Sequence, residues 1–415
     1  MKSNKWKFLL TGAATLTLLT ACTQASSQSA TKSNTAQTTA TSTSKNKINN
    51  SNYFTDKDKD TSYDESTAST VKLSGSSASV SGDGVAVSGS TVTISKAGTY
   101  VISGESDGVQ IKVEAGDSDD VHIVLKGVTM TNTNAPISAT KAGHVYLTLA
   151  DGTTNTLSDS SSNNDEDADA VIFSKGDLTI NGSGTLNIDA KKNNGIKAND
   201  TLHITGGTYK ITAVGDAFNV NDELNITGTT MTIDADEDAV KVDNDEDTSV
   251  GTMYLSDNKM TITAGDDGIH ASGDLIIDSG TYKVTESVED LEGKSITING
   301  GDITIYATDD GVNAANANAN QDEIFFTMNG GTLNVEVGQG DTDPIDSNGN
   351  ITVTGGTIKL TGQSGFDFDG TATYTGGDIY INGEKQTEIV NSMPGGGGAP
   401  GGGGPQGGGP GGGHP

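Results

Sequence analysis

The chain has 415 residues, with 24 lysines or arginines against 55 aspartates and glutamates, a formal net charge of −31. Every basic residue is a lysine, and there is one cysteine and one tryptophan. So acidic a chain is repelled by nucleic acid and suited to cations, and a lone cysteine excludes an internal disulfide framework.

In chain order, residues 1–21 are expected to be a signal peptide: Lys2, Lys5 and Lys7 precede an apolar run from Phe8 to Leu19, too short to cross a bilayer comfortably. The sequence Leu19-Thr20-Ala21-Cys22 resembles a bacterial lipobox, so Cys22 is the expected lipidation site. A lipoprotein on the extracellular face of the cell membrane, touching it through the lipid anchor only, is the expected location. Residues 22–70 are rich in Ser, Thr, Asn, Gln, Ala and Lys. They are expected to form a disordered tether, because they offer little apolar surface to offset the entropy of folding. Residues 71–170 keep an alternating pattern in TVTISKAGTYVISG and DVHIVLKGVTM and are assigned as an N-terminal cap and first coils. Residues 171–390 are the regular array, and 391–415 a disordered Gly/Pro-rich tail.

The array rests on an internal repeat. TLHITGGTYKITAVGDAFNV (201–220), ELNITGTTMTIDADEDAVKV (223–242), TMYLSDNKMTITAGDDGIHA (252–271), DLIIDSGTYKVTESVEDLEG (274–293) and SITINGGDITIYATDDGVNA (295–314) superimpose without a gap. Apolar residues alternate within each unit, the period of a strand. In the first unit Leu202 and Ile204, then Tyr209, Ile211 and Ala213, then Phe218 and Val220 mark three short strands separated by Gly and Asp turns. No unit covers its own apolar face, so units must stack. The predicted fold is all-β, a right-handed parallel β-helix with coils of about 22 residues, with Ile211, Ile233, Ile262, Val284 and Ile305 in one buried column. A β-propeller, the competing architecture, needs blades of about 40 to 45 residues, and a period of about 22 argues against it.

The chemistry lies in an acidic column. Asp216, Asp238, Asp267, Glu289 and Asp310 occupy one position of successive units, with Asp236, Glu237, Asp266 and Asp309 beside them. Stacked about 4.8 Å apart, neighbouring carboxylates would repel by roughly 3–4 kcal/mol at an effective dielectric of 20. Bound calcium is the natural relief, since hard divalent cations take several oxygen ligands; Asx turns, each carboxylate capping backbone, are the other. Three residues on runs a second row, Lys197, Asn219, Lys241, His270, Glu292 and Asn313, in which a lysine beside calcium suits an acidic sugar. Lys241 and His270, with the outward-phase aromatics Tyr306 and Phe325, are the candidate ligand-binding residues. Insertions after Val242 and Ala314 leave from one corner, either to wall a groove along that edge or as tolerated loops.

SVSGDGVAVSGSTVTISKAGTYVISG (79–104), AVIFSKGDLTINGSGTL (170–186) and the DDGI or DDGV coils resemble a family of bacterial cell-surface carbohydrate-binding β-helix proteins, similar in fold to pectate lyases. The resemblance covers about Val71 to Lys385. It implies binding of cellulose or acidic polysaccharide such as polygalacturonate, and calcium. The function expected is non-catalytic, calcium-dependent binding of polysaccharide by a monomer at the cell surface, with no nucleic-acid partner and no catalytic residue. The alternatives are a β-helix lyase or hydrolase, with Lys241 as a base or Asp266 and Asp267 as paired acids, and a structural adhesin. The absence of arginine removes one base used by lyases of this type.

Overall fold

The computed structural model describes residues 50–244, 247–340 and 342–392. Cys22, the expected signal peptide, most of the expected tether and nearly all of the expected tail lie outside the described residues. Among the described residues no helix is long and apolar enough to cross a membrane.

The chain is all-β, and through most of the array each strand pairs in parallel with the strand three further along, or two further along where the long strands Ile269–Ile277 and Leu291–Ile298 each serve two ladders. Three ladders result. In the first, Val145, Leu178, Leu202, Leu224, Met253, Leu275 and Ile296 lie in register. The second aligns Ile188, Ile211, Ile233, Ile262 and Val284, and the third Ile196, Phe218, Val240, Ile269, Leu291 and Val312. These are the residues the alternation places inward, and each is 0–3 % exposed. They belong to one continuous apolar cluster from Val71 to Ile379. The buried column Ile211–Ile233–Ile262–Val284 therefore stands as expected, and Tyr209 and Tyr282 are core residues at 1 % exposure.

One corner shows why the glycines recur. Gly206 and Gly207 both have positive φ, 84° and 91°, a conformation in which a Cβ is costly. A Cβ on Gly206 would also come within 2.9 Å of the Gly182 carbonyl of the preceding coil. The turn thus lets the backbone of successive corners approach closely enough to keep the ladders in register.

The array ends in antiparallel pairs. At the start, Ser69–Gly75 pairs with Ser77–Ser81 and Val85–Ser88 with Thr91–Ile94. At the far end Glu384–Gln386 folds back on Asp378–Ile381.

The expected tether boundary at residue 70 needs correction. Residues 50–68 pack along the coils: Phe54 is 3 % and Asp58 2 % exposed, and Tyr63 and Ala68 lie against Val101, Val124 and Ala150. Three aromatic rings supply the apolar surface that the average composition hides, and Asp58 accepts hydrogen bonds from the coil surface.

Candidate functional site

The third ladder carries the acidic column on its leading corner. Asp216 and Asp238 are buried, 4 % and 3 % exposed, the side chain of Asp267 is 13 % exposed, and Glu289 and Asp310 are half-buried. Asp236, Glu237, Asp266 and Asp309 are exposed. The buried acids work as staples between coils. The Asp238 backbone N–H donates to Asp216 Oδ1 at 3.0 Å, that of Asp267 to Asp238 Oδ1 at 2.9 Å, and that of Asp343 to Asp310 Oδ1 at 2.7 Å.

The second row supplies hydrogen-bond donors to the first, two of them cationic. Asn219 Nδ2 donates to Asp216 Oδ2 at 2.5 Å, Lys241 Nζ to Asp238 Oδ2 at 2.7 Å, and Asn313 Nδ2 to Glu289 Oε2 at 2.8 Å. His270 Nδ1 meets Asp267 Oδ2 at 3.1 Å and also contacts Glu292 Oε2. In the sequence the two rows stand separately, with calcium or Asx turns as the expected relief of the column; a spacing of three residues in an extended corner instead brings Asp216, Asp238 and Asp267 each to a partner in the second row.

Electrostatics follow from this arrangement. Burial works against charge on His270, but Asp267 and Glu292 together hold it protonated, pushed up to about 10. Burial lifts Asp267 to about 7, with His270 pulling the other way. Burial also opposes the Lys241 charge, yet Asp238 and Asp216 raise it above the ordinary lysine value. Further along, the row turns acidic: burial, reinforced by neighbouring carboxylates, pushes Asp310 up to about 6 and Asp346 to about 7. Asp343 and Asp346 were missed in the sequence, although Asp343-Pro344-Ile345-Asp346 repeats the spacing of Asp310-Gly311-Val312-Asn313.

Two groups of side chains converge closely enough to share one ion, Asp238–Asp266–Asp267 and Asp267–His270–Glu292, with ligand atoms within 4.8 Å of one another. The first is all carboxylate and fits a hard oxygen-seeking cation such as calcium; the second holds a protonated imidazole and fits it less well. The other predicted metal ligands, Asp216, Asp236, Glu237, Glu289, Asp309 and Asp310, join neither group among the described residues.

Beside these groups opens a cavity of about 240 Å³. His270 and Glu292 line it, with Asp243 and Thr248 from one insertion and Asn316 and Asn318 from the other. Of the two alternatives for the insertions, the structure has the groove, with residues of both lining one cavity. Tyr306 and Phe325 are not part of it. Tyr306, 40 % exposed, projects from the second ladder in Asp302–Ala307, and half-buried Phe325 begins Phe325–Met328 on the first. Outward phase on a strand places a ring on that strand's own face, and a three-sided coil has three such faces.

A protein from Acetivibrio thermocellus, described as a carbohydrate-binding domain-containing protein, is 36 % identical over 126 residues, 29 % of this chain and 44 % of that protein. The chain thus spans less than half the length of that relative. A solved structure described as a polysaccharide lyase-like protein from C. thermocellum, a gadolinium derivative, is 24 % identical, with a TM-score of 0.44 over 79 % of this chain and 98 % of that one. Residues 88–342 and 272–395 match the family of carbohydrate-binding domain-containing proteins, and the chain belongs to that family.

Proposed function

We propose that this chain is a right-handed parallel β-helix that binds polysaccharide, acidic or cellulosic, without transforming it, in a calcium-dependent way. Family membership supports the ligand class, and the general preference of parallel crossovers supports the right-handed winding. The observation that carries the reading is the groove whose floor, His270 and Glu292, adjoins the Asp238–Asp266–Asp267 carboxylates. Calcium held there would supply positive charge to an anionic sugar. Lys241 and His270 orient and neutralise the carboxylates from the side.

Binding is favoured over catalysis by the protonation of the same groups. A lyase base must be free to take a proton at working pH, but Asp238 holds Lys241 and the Asp267–Glu292 pair holds His270 in their charged forms. The location is part of the proposal and rests on the sequence: removal of residues 1–21, lipidation at Cys22, a tether ending near residue 50, and a monomer displayed outside the membrane.

Migration of the purified protein through native gels containing polygalacturonate, with calcium and with chelator, tests the reading. Retardation in calcium alone is expected, and loss of it in Asp238→Lys and Asp267→Lys variants. Unchanged migration in both gels would remove anionic glycan binding and leave cellulose as the ligand to examine.

A further inference from the structure

Residues 50–67 run across the outer face of the first ladder instead of winding into a coil. In register, that face presents His122, Tyr146, Thr179, His203, Asn225 and Tyr254 on six successive coils. Three of the four described histidines, His122, His144 and His203, lie on this face. The second ladder, by contrast, shows solvent mostly threonine and lysine, as in Thr208, Lys210 and Thr212. Imidazoles, tyrosine rings and amides projecting from a flat sheet are recognition chemistry, and here they are covered.

The cover makes the contacts a bound chain would make. Tyr53 stacks face to face on Tyr254, ring centroids 3.6 Å apart and planes 7° from parallel. Phe54 sits edge-on to His203 at 5.5 Å. Asp58 Oδ1 accepts from Thr179 Oγ1 at 2.7 Å, and Asp58 Oδ2 lies 3.2 Å from His203 Nδ1. The carbonyls of Tyr53 and Asp58 accept from Asn225 Nδ2 at 3.0 Å and Thr205 Oγ1 at 2.7 Å. Burial opposes both charges, yet Asp58 is held well below the usual carboxylate range, chiefly by His203, and His203 is pushed up to about 9 by Asp58 and Glu223. Residues 50–67 contribute no strand to the ladders among the described residues, so they can leave without breaking a coil.

We propose that residues 50–67 are an internal ligand mimic closing a second glycan-binding face, whose ligand is a uronic-acid oligosaccharide lying along the ladder. A sugar ring takes the place of the Tyr53 ring on Tyr254, and a uronate carboxylate that of Asp58 between Thr179 and His203. Coils repeat at about 4.8 Å, so rings along such a chain meet successive rows of side chains. The cover lowers the apparent affinity by the fraction of time it is open. The ligand class rests on the carbohydrate-binding reading above, but this face meets a carboxylate with imidazole and hydroxyl and needs no calcium.

The test uses the full chain in chelator, which silences the acidic edge, with trigalacturonate as probe. Phe54→Ala removes the most deeply buried ring of the cover and should raise its open population roughly a hundredfold. Hydrogen exchange of amides 50–67 should quicken while coil amides keep their protection, and calorimetry should show a matching rise in affinity. Adding Tyr254→Ala should abolish that gain. Should the double variant fail to fold, Asp58→Asn, nearly isosteric, replaces Phe54→Ala and His203→Gln replaces Tyr254→Ala. Exchange that stays as slow as the coil core in the cover variants would overturn the proposal, because the cover would then be a fixed part of the fold. Opening without a gain in affinity would overturn it equally. Calcium-dependent retardation in the polygalacturonate gel reports on the acidic edge alone, so the two readings fail separately.

Discussion

Replacing Asp290 with alanine should stabilise the protein, and by more at pH 7 than at pH 4. Asp290 is fully buried, and among the described residues neither of its carboxylate oxygens has a hydrogen-bond partner. It occupies the position held by Ala217, Ala239 and Gly268 in the three preceding coils, so a methyl group fits there. Burial, with Asp267 adding repulsion, raises its pKa well above the ordinary aspartate value. Holding such a carboxyl protonated where the unfolded chain would ionise it costs stability, and the cost grows as pH rises above the unfolded value. The neutral carboxyl, left without partners, costs roughly 1–3 kcal/mol more, and the space vacated by truncation returns about 1 kcal/mol of that. The sign is fixed by linkage: the folded state binds the extra proton, so wild-type stability is fullest below the unfolded value and falls as pH rises above it. Urea unfolding followed by far-ultraviolet circular dichroism, with chelator present, should show Asp290→Ala gaining about 1–2 kcal/mol near pH 4, from the unpartnered oxygens, and clearly more at pH 7. Asp290→Asn, which has no titratable proton, should recover the pH-dependent part alone. An equal gain at both pH values, or a loss, would refute the reasoning.

Two further predictions concern the same corner. A Cβ on Gly268 would collide with Asp290 Oδ1, so Gly268→Ala should destabilise by about 2 kcal/mol or more, while the double variant with Asp290→Ala should lose little; additive effects in a double-mutant cycle would show that the two positions do not share this space. His270→Gln removes the cation between Asp267 and Glu292. It should lower stability in chelator by roughly 1–3 kcal/mol and tighten calcium binding, read by calorimetry, because a competing charge is gone; weaker calcium binding would instead make His270 a ligand.

Strand positions were legible in the sequence because a two-residue alternation survives in every coil. Leu202 and Ile204, Ile211 and Ala213, and Phe218 and Val220 all point inward as their period demands. The acidic column was legible as a position in the repeat, but its relief was not, because pairing Asp238 with Lys241 depends on the bend of a corner that spacing alone does not describe. Asp290 was hidden beside Glu289: two adjacent acids look alike in a repeat, yet one faces solvent and the other the core. The segment over the first ladder has no period, and what fixes it are contacts such as that between Asp58 and Thr179, 121 residues apart. Composition averages over three rings and many serines, and so reports disorder where a few specific contacts suffice for order.

The antiparallel pairs at the two ends limit how this protein can assemble. A stack of parallel coils exposes a complete row of unpaired amides and carbonyls at each end, and identical ends would polymerise head to tail into a fibre. Folding Ser77–Ser81 and Glu384–Gln386 back on their neighbours uses part of those rows within the same molecule. Crowding such molecules on one surface then favours contact flank to flank, with the long sides of neighbouring molecules facing each other and whatever lies between them.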